Sequence, residues 1–367
     1  MVSDNQHIRA TETISKTEKP STVLKLKGVC YDVGREMLGQ NWRPDFDPTT
    51  VRREIEIIRK DLYCNAIRLQ GFDLGRLALA TKLALEQGLE VWFSPEMWDH
   101  EQGETVDYIA RAAELAHTLE DAYPGRVVMT VGSEVILFSN GFIPGENVLE
   151  RLANPRLREI LLASATRTSL NAFLGRLASA ARQAFRGKLT YASVGFEQVD
   201  WAPFDYVGVD LYRGDPMFDR YPELLRRYTS MGKPFVNAEF GCCTFRGAER
   251  MGGRGWEVID WSVWPPRLKG PYVYDQTAQA NELSALLRWN EEAGAYGTFV
   301  FTFVETWAGL PEGDAEEVLR SIDFDPDLPR YALVKTYPDR RKGKTYPDMA
   351  WEPKQSFRAV ADFYQSH

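Results

Sequence analysis

The sequence predicts an α/β fold, a (β/α)₈ TIM barrel built as one domain. Eight short apolar runs alternate with segments of helical period from residue 24 onward. Strands that are separated by helices, and never joined as hairpins, form a parallel sheet, and eight such strands close into a barrel. The length of 367 residues suits a barrel with insertions.

The predicted strands are short and rich in Val, Phe, Tyr and Thr, which is typical of strands that neighbours cover on both faces. They span residues 24–30, 64–70, 90–95, 126–132, 189–195, 205–211, 234–239 and 297–304. A doubly wound open sheet is the alternative. That fold usually places a Gly-rich phosphate turn after its first strand, and the sequence there, GVCYDVGRE, is not GxGxxG. The barrel is therefore favoured.

Segments of helical period fill the gaps between the strands. In the first of them Asp47 can cap a helix, Pro48 suits its first turn, and apolar residues recur on one face. Gly88 and Gly294 stand where C-caps are expected, just before the third and eighth strands.

The domain plan is a polar, disordered tail over residues 1–22, followed by the barrel over 23–367, with long loops after strands 4, 7 and 8. The tail has no apolar core of a secretory signal, and no apolar stretch is long enough for a membrane helix. Four cysteines without metal-type spacing are expected to be reduced thiols, so a cytoplasmic location is expected.

Charge and histidine content narrow the function classes. A net charge of −8 disfavours nucleic acid and anionic membranes as partners. Of four histidines, His7 and His367 lie near the ends, which leaves His100 and His117 for chemistry. A histidine metal site or a Ser–His dyad is therefore disfavoured, and neither metal nor cofactor is expected. Carboxylate chemistry is favoured.

Active sites of (β/α)₈ barrels lie at the C-terminal ends of the strands, so the residues that close each run are the candidates. Acids, aromatic residues and one arginine converge there, a composition that suits a small-molecule or carbohydrate substrate with many hydroxyls. The candidates are Arg68, Glu96, Trp98, Ser133, Glu134, Trp201, Tyr212, Glu239, Glu305 and Trp307.

Glu134 and Glu239 follow strands four and seven, which face each other across the barrel mouth. Two carboxyl groups about 5–5.5 Å apart perform retaining glycoside hydrolysis, one protonating the leaving oxygen and the other attacking the anomeric carbon. The two groups need different environments, because only the proton donor requires a raised pKa. Arg68 and the Tyr212 hydroxyl are candidate partners for Glu239.

The chain resembles glycoside hydrolase clan A over roughly residues 24–365. The residues that carry the resemblance are Arg68 in NAIRLQ, Glu134 in TVGSEV, Tyr212 in VDLYRG, Glu239 in FVNAEFG and Trp307 in FVETW. The resemblance implies that Glu134 is the acid/base and Glu239 the nucleophile, and that the other candidates bind substrate. More distantly, the chain is similar to uncharacterised bacterial barrel proteins labelled abortive-infection proteins.

One position departs from the clan, which usually has Asn before the acid/base where this chain has Ser133. A hydroxyl offers one donor where the amide offers two. Three hypotheses therefore stand. The first is a retaining glycosidase or transglycosidase acting on a small glycoside. The second is a related barrel performing other cationic chemistry, such as a carbocation cyclisation. The third is a non-catalytic carbohydrate-binding or defence protein.

Overall fold

A computed structural model of the chain describes residues 23–305, 319–337 and 339–367. Eight parallel strands form a closed barrel in which each strand pairs with its sequence neighbours, and Leu26 pairs with Gly297 to close the ring. The predicted (β/α)₈ barrel is confirmed. The strands are β1 Leu26–Gly34, β2 Ala66–Gly71, β3 Glu90–Pro95, β4 Val127–Ser133, β5 Lys188–Val194, β6 Val207–Asp210, β7 Phe235–Phe240 and β8 Gly297–Val300.

Seven main helices cover the outside of the barrel. They are α1 Pro48–Lys60, α2 Leu74–Glu86, α3 Gln102–Ala122, α4 Ser164–Ala184, α5 Tyr221–Thr229, α6 Gln276–Glu292 and α7 Gln355–Ser366. One expectation is wrong: residues 195–206, all of them described, contain no helix between β5 and β6. That segment instead packs Trp201 and Phe204 against the strand side chain of Tyr191.

The helix ends follow local chemistry that the sequence carries. The Asp47 carboxylate accepts hydrogen bonds from the backbone N–H groups of Thr49 and Thr50, and Pro48 opens α1. Gly88 and Gly294 follow α2 and α6 with φ of +77° and +80°, a conformation that side chains with a Cβ rarely adopt. Both glycines therefore end their helices where the next strand must begin.

The core has two layers. Inside the barrel, the buried Trp92 packs against Phe299 and Tyr206, with ring centroids 4.9 and 5.3 Å apart. Side chains that point outward from the strands pack beneath the helices in a second, larger cluster. Side chains fill the interior of the barrel. Polar groups inside the barrel can therefore meet solvent only at its two ends.

Long connections cover the C-terminal face. The connection after β4 runs over residues 134–163 and contains three short helices, and the connection after β7 runs over 241–275. The fully buried Arg151 organises the first of them, donating to Asp99 Oδ1 at 2.7 Å and to the Leu137 carbonyl at 2.9 Å. The connection after β8 is described only in part.

Among the residues described, no helix has both the length and the apolar character needed to cross a bilayer. The tail predicted for residues 1–22 lies outside the described residues.

Candidate active site

Arg68 lies at the centre of the C-terminal end of the barrel. It is fully buried on β2, and its guanidinium reaches residues of four other strands, including Ser94 Oγ of β3 at 3.3 Å. It donates to Ser133 Oγ at 3.1 Å, Asp210 Oδ1 at 2.8 Å, the Ala238 carbonyl at 2.9 Å and Glu239 Oε2 at 3.4 Å. The rigid fork of five N–H donors lets one side chain join β2, β3, β4, β6 and β7.

Glu239 is held by three donors near the end of β7. The Tyr212 hydroxyl donates to Oε1 at 2.7 Å, while Gln70 Nε2 and Arg68 Nη1 donate to Oε2 at 3.2 and 3.4 Å. The side chain keeps 13% of its surface exposed, so it is reachable from the barrel mouth. Three donors that converge on the two oxygens fix the orientation of the side chain.

Glu134 has a different environment. It follows β4 directly in the left-handed region, with φ 46° and ψ 39°, an uncommon conformation for a residue other than glycine. Among the described residues, no donor contacts its carboxyl oxygens. Burial, and then the charges of Asp210 and Glu239, raise the pKa of Glu134 well above its ordinary value. The two glutamates thus lie in contrasting environments, one with three hydrogen-bond donors and one with none among the described residues.

Tyr191 of β5 and Glu197, which follows that strand, hold the strained turn at Glu134. The Tyr191 hydroxyl accepts the Val135 N–H at 2.8 Å and donates to the Glu197 carboxylate at 2.8 Å. Glu197 Oε1 in turn accepts the Ile136 N–H at 3.2 Å. Burial raises the pKa of Glu197 to about 7, although the Tyr191 hydrogen bond lowers it. This pair positions the backbone that carries Glu134.

Ser133 is engaged within the protein. Its hydroxyl donates to Asp210 Oδ2 at 2.9 Å and accepts from Arg68 Nη2 at 3.1 Å. Burial raises the pKa of Asp210 to about 7, against the opposing effect of the Arg68 charge. The single hydroxyl proton of Ser133 is therefore committed to Asp210, and the structure gives Ser133 a part in fixing Arg68.

Glu96 and Trp98 follow β3 at the same rim. Glu96 is 3% exposed, and its Oε1 accepts from Gln70 Nε2 at 3.0 Å. Burial raises the pKa of Glu96 to about 7, although the charges of Arg35 and Arg68 lower it. Trp98 stacks on Phe138, four residues after Glu134, with the ring centroids 4.1 Å apart. Glu96 thus shares the Gln70 amide with Glu239, and Trp98 packs on the segment that follows Glu134.

Glu305 follows β8, and its carboxylate is occupied by the backbone. Oε2 accepts the N–H groups of Tyr331 and Ala332 at 2.6 and 2.8 Å. Those bonds tie the end of β8 to the later chain, which gives Glu305 a role in shaping the rim. Trp307, the other residue predicted after β8, lies outside the described residues.

Trp201 is not brought to this cluster, contrary to the expectation that it closes the rim after β5. Its ring packs against Tyr191 and Phe204 at centroid distances of 6.5 and 6.0 Å. Its carbonyl accepts from Lys233 Nζ at 2.6 Å, and Lys233 precedes β7 at the amino end of the barrel. The reason is the missing helix: the segment after β5 returns directly along the barrel wall toward β6.

Sequence reasoning missed three residues of this cluster. Gln70 lies two positions after Arg68 on β2, so the strand period puts both on one face, and that signal could have found it. Asp210 ends β6 and pairs in register with Glu239, but from sequence it looked structural. Arg35 directly follows β1 beside Asp32, and nothing in its local sequence marks it as facing the site.

No protein-family model matches this sequence, and no curated protein matches it either. Solved structures do resemble it. A GH113 β-1,4-mannanase superposes with a TM-score of 0.58 and 12% identity, covering 94% of this chain and 100% of that one. The GH113 β-mannanase AaManA of Alicyclobacillus acidocaldarius, in complex with ManMIm, has a TM-score of 0.56 and 15% identity over 94% and 99% of the two chains.

A GH5-4 broad-specificity endoglucanase from Clostridium longisporum matches with a TM-score of 0.56 and 11% identity over 93% of this chain and 96% of that one. Likeness at these identities concerns the fold, and it spans nearly the whole of each chain. The closed parallel barrel and these neighbours together show that the chain has a (β/α)₈ barrel fold of the kind that these enzymes have.

Proposed function

We propose that the protein is a retaining glycoside hydrolase, with Glu239 as nucleophile and Glu134 as acid/base. The observation that carries the proposal is the contrast between the two carboxyl groups. Glu239 accepts hydrogen bonds from Tyr212, Gln70 and Arg68. Glu134, whose pKa burial raises, receives none from the described residues. In active sites that use two carboxyl groups, the two groups usually lie in different environments, so that one can donate a proton while the other stays ionised.

The proposed reaction is a double displacement. A Glu239 oxygen attacks the anomeric carbon while the bond from that carbon to the leaving oxygen breaks, and the Glu134 proton passes to the leaving oxygen. The product of this step is a glycosyl ester on Glu239. Water then attacks the anomeric carbon, gives its proton to Glu134, and releases the Glu239 carboxylate. Transglycosylation differs only in that a sugar or alcohol hydroxyl replaces the water.

The substrate that we propose is a small glycoside or glycosylated metabolite, in keeping with the cytoplasmic location expected from the sequence. The neighbouring folds belong to proteins named as a mannanase and an endoglucanase, which supports a carbohydrate substrate. The acidic balance of the chain, with a net charge of −8, supports a partner other than nucleic acid.

A second candidate is carbocation chemistry in a barrel of the same architecture. The observation that favours it is the commitment of Ser133 to Asp210 and Arg68, which leaves the position before Glu134 without the side-chain amide usual in the clan. Carboxylates and aromatic rings stabilise other cations as well as an oxocarbenium ion. A non-catalytic carbohydrate-binding or defence role is the third candidate, and the same experiment tests it.

The experiment is trapping of the glycosyl ester. The protein is incubated with 2-deoxy-2-fluoroglycosides of several sugars bearing activated leaving groups, and intact mass and peptide mapping follow. We expect one adduct, on Glu239, and none in a Glu239→Gln variant. Folded protein that gains no adduct from any probe would overturn the glycosidase proposal and favour the other two. An adduct on a different carboxylate would overturn the assignment of the nucleophile.

A further inference from the structure

Large apolar side chains are exposed unevenly on this protein. Among the described residues, most of them lie on connections that follow a strand, which places them at the C-terminal face of the barrel with the candidate active site. We infer that the proposed substrate is a glycoside with an apolar aglycone, which binds beside the barrel mouth to Trp256, Trp261 and Trp264. The inference rests on the proposed function, since it names the group that leaves in that reaction.

These exposed side chains are concentrated on one half of the mouth. Except for Leu38, they follow β4, β5 and β7, on the half that lies between the two proposed catalytic glutamates. Phe196 is next to Glu197, whose carboxylate accepts the Ile136 N–H and so holds the segment after Glu134. The leaving oxygen lies beside Glu134 in the proposed reaction, so a group attached to that oxygen can extend over this half. The side chains are Leu149, Leu152, Leu162, Phe196, Trp256, Trp261, Trp264 and Val273.

Trp256 is connected to the proposed nucleophile through two residues. Its indole Nε1 donates to the Gly253 carbonyl at 3.1 Å. Gly253 lies against the Tyr212 ring, where a Cβ would come within 3.3 Å of Tyr212 Cδ2. The Tyr212 hydroxyl in turn donates to Glu239 Oε1 at 2.7 Å. The indole, which is 37% exposed, therefore lies at the rim of the candidate site.

The Gly252–Val258 segment, a short 3₁₀ helix, is held in place by Tyr331. The Tyr331 hydroxyl donates to the Gly252 carbonyl at 2.6 Å and accepts the Gly255 N–H at 2.9 Å. The Tyr331 ring also contacts Tyr212, with the ring centroids 5.7 Å apart. This segment is thus fixed against the side chain that orients the proposed nucleophile. A surface that is already ordered loses less conformational entropy when a ligand binds.

A β-hairpin follows directly and exposes two more tryptophans. Ile259–Asp260 pairs antiparallel with Arg267–Leu268, and Trp261 and Trp264 between them are 52% and 57% exposed. Every tryptophan that is exposed among the described residues lies between positions 256 and 264. A tryptophan buries a large apolar area when a ligand covers it, and grouped exposed apolar side chains commonly mark a binding site.

The hairpin tip suits an apolar group better than a second sugar. Residues 261–266 read WSVWPP and carry no charge. The Ser262 hydroxyl donates to Asp260 Oδ1 at 2.6 Å, so it is already engaged. A sugar needs partners for several hydroxyls, and the remaining side-chain donors of the tip are the indole N–H groups of Trp261 and Trp264. An alkyl or aromatic aglycone needs no such partners and is stabilised by each apolar contact.

The test compares aglycones on a constant sugar by isothermal titration. All titrations use the Glu239→Gln background, in which the proposed reaction cannot proceed. The ligands are methyl and octyl glycosides of glucose, mannose and galactose in both anomers, below the micellar concentration. Cellobiose and mannobiose present a sugar as the aglycone, and octyl tetraethylene glycol presents the alkyl chain without a sugar.

Trp261→Ser/Trp264→Ser removes the two most exposed rings. Leu79→Gln/Leu115→Gln, which changes two exposed apolar side chains of α2 and α3, is the matched control. Melting curves establish that each variant is folded. If the double tryptophan variant fails to fold, Trp264→Ser alone decides.

For the sugar that binds, we expect the octyl glycoside to bind roughly 10- to 100-fold more tightly than the methyl glycoside, because each buried CH₂ strengthens binding by up to about 4-fold. The tryptophan variant should lose most of that difference and keep the affinity for the methyl glycoside. The leucine variant should bind as its parent does. Equal affinity for the two glycosides, tighter binding of a disaccharide, equally tight binding of octyl tetraethylene glycol, or an unchanged difference in the folded tryptophan variant would overturn the inference.

The trapping experiment on wild-type protein separates the two proposals. Octyl glycoside binding that depends on Trp261 and Trp264, without any adduct on Glu239, would leave the apolar site standing and overturn the glycosidase. An adduct on Glu239 together with equal affinity for methyl and octyl glycosides would do the reverse. Absence of both the adduct and the difference in affinity would overturn both proposals.

Discussion

The Ser133 hydroxyl donates a hydrogen bond of 2.9 Å to Asp210 Oδ2, across 77 residues of sequence. Arg68 binds both partners, so the three side chains form a closed group beneath Glu134 and Glu239. Through this group Asp210 brings a negative charge near Glu134, and that charge is the largest cause, after burial, of the raised pKa of Glu134.

Asp210→Asn should lower the pKa of Glu134, because the variant removes that charge. Glu134 must be protonated for the first step, so the alkaline limb of the kcat/KM profile should move to lower pH, by about one unit. The effect should be confined to pH above about 7, since the pKa of Asp210 is itself about 7 and only the ionised form carries charge. Asp107→Asn on the exposed face of α3 is the control. A limb that stays in place or rises would contradict the prediction.

Tyr212→Phe should impair activity without loss of stability. The variant loses the 2.7 Å bond that orients Glu239 but keeps the ring contacts with Tyr331 and Phe301. We expect kcat/KM on an activated glycoside to fall roughly 10- to 100-fold, since a bond to a charged group is lost. Tyr346→Phe removes the same kind of bond, to Asp61 at 2.8 Å, away from the barrel mouth, and should leave kcat/KM unchanged. Equal losses of kcat/KM in the two variants would argue against a role of the Tyr212 hydroxyl in positioning Glu239.

Glu134→Ala should slow the hydrolysis of glycosides to an extent that depends on the leaving group. Poor leaving groups need the proton, so their hydrolysis should fall by roughly 10²- to 10⁴-fold. Dinitrophenyl glycosides need no protonation, so formation of their glycosyl ester should continue. Added azide should then attack that ester, and glycosyl azide should appear in the product mixture. If the rates fell equally for dinitrophenyl glycosides and for glycosides with poor leaving groups, and no glycosyl azide formed, Glu134 would not be the acid/base.

Glu197→Gln should flatten the dependence of stability on pH. The folded-state pKa of Glu197 is raised to about 7, so its contribution is fully present below the unfolded pKa and is lost as pH rises through 7. The loss amounts to at most about 3 kcal/mol for a shift of this size. Urea unfolding at pH 5 and pH 8 should show a smaller difference in the variant than in wild type. Glu114→Gln, at an exposed position of α3, should behave as wild type. An equal difference in Glu197→Gln would refute the assignment.

The sequence by itself determined the barrel and the places where its chemistry could lie. Alternation of apolar runs with helical segments is a local property, as are the Asp47 cap and the glycines that end α2 and α6. Strand ends mark the rim, so Arg68, Glu96, Glu134, Tyr212 and Glu239 could be selected from their positions alone.

Only the tertiary structure decided which of these side chains meet. Arg68 and Asp210 are 142 residues apart, and their 2.8 Å bond depends on strand register and barrel closure, which no local pattern encodes. Glu305 bonds to the backbone of Tyr331 and Ala332, and Trp201 lies along the barrel wall, because connections differ in path while strand ends look alike. Side-chain partners depend on three-dimensional proximity, which pairs Ser133 with Asp210 and places the Arg35 guanidinium beside Trp98.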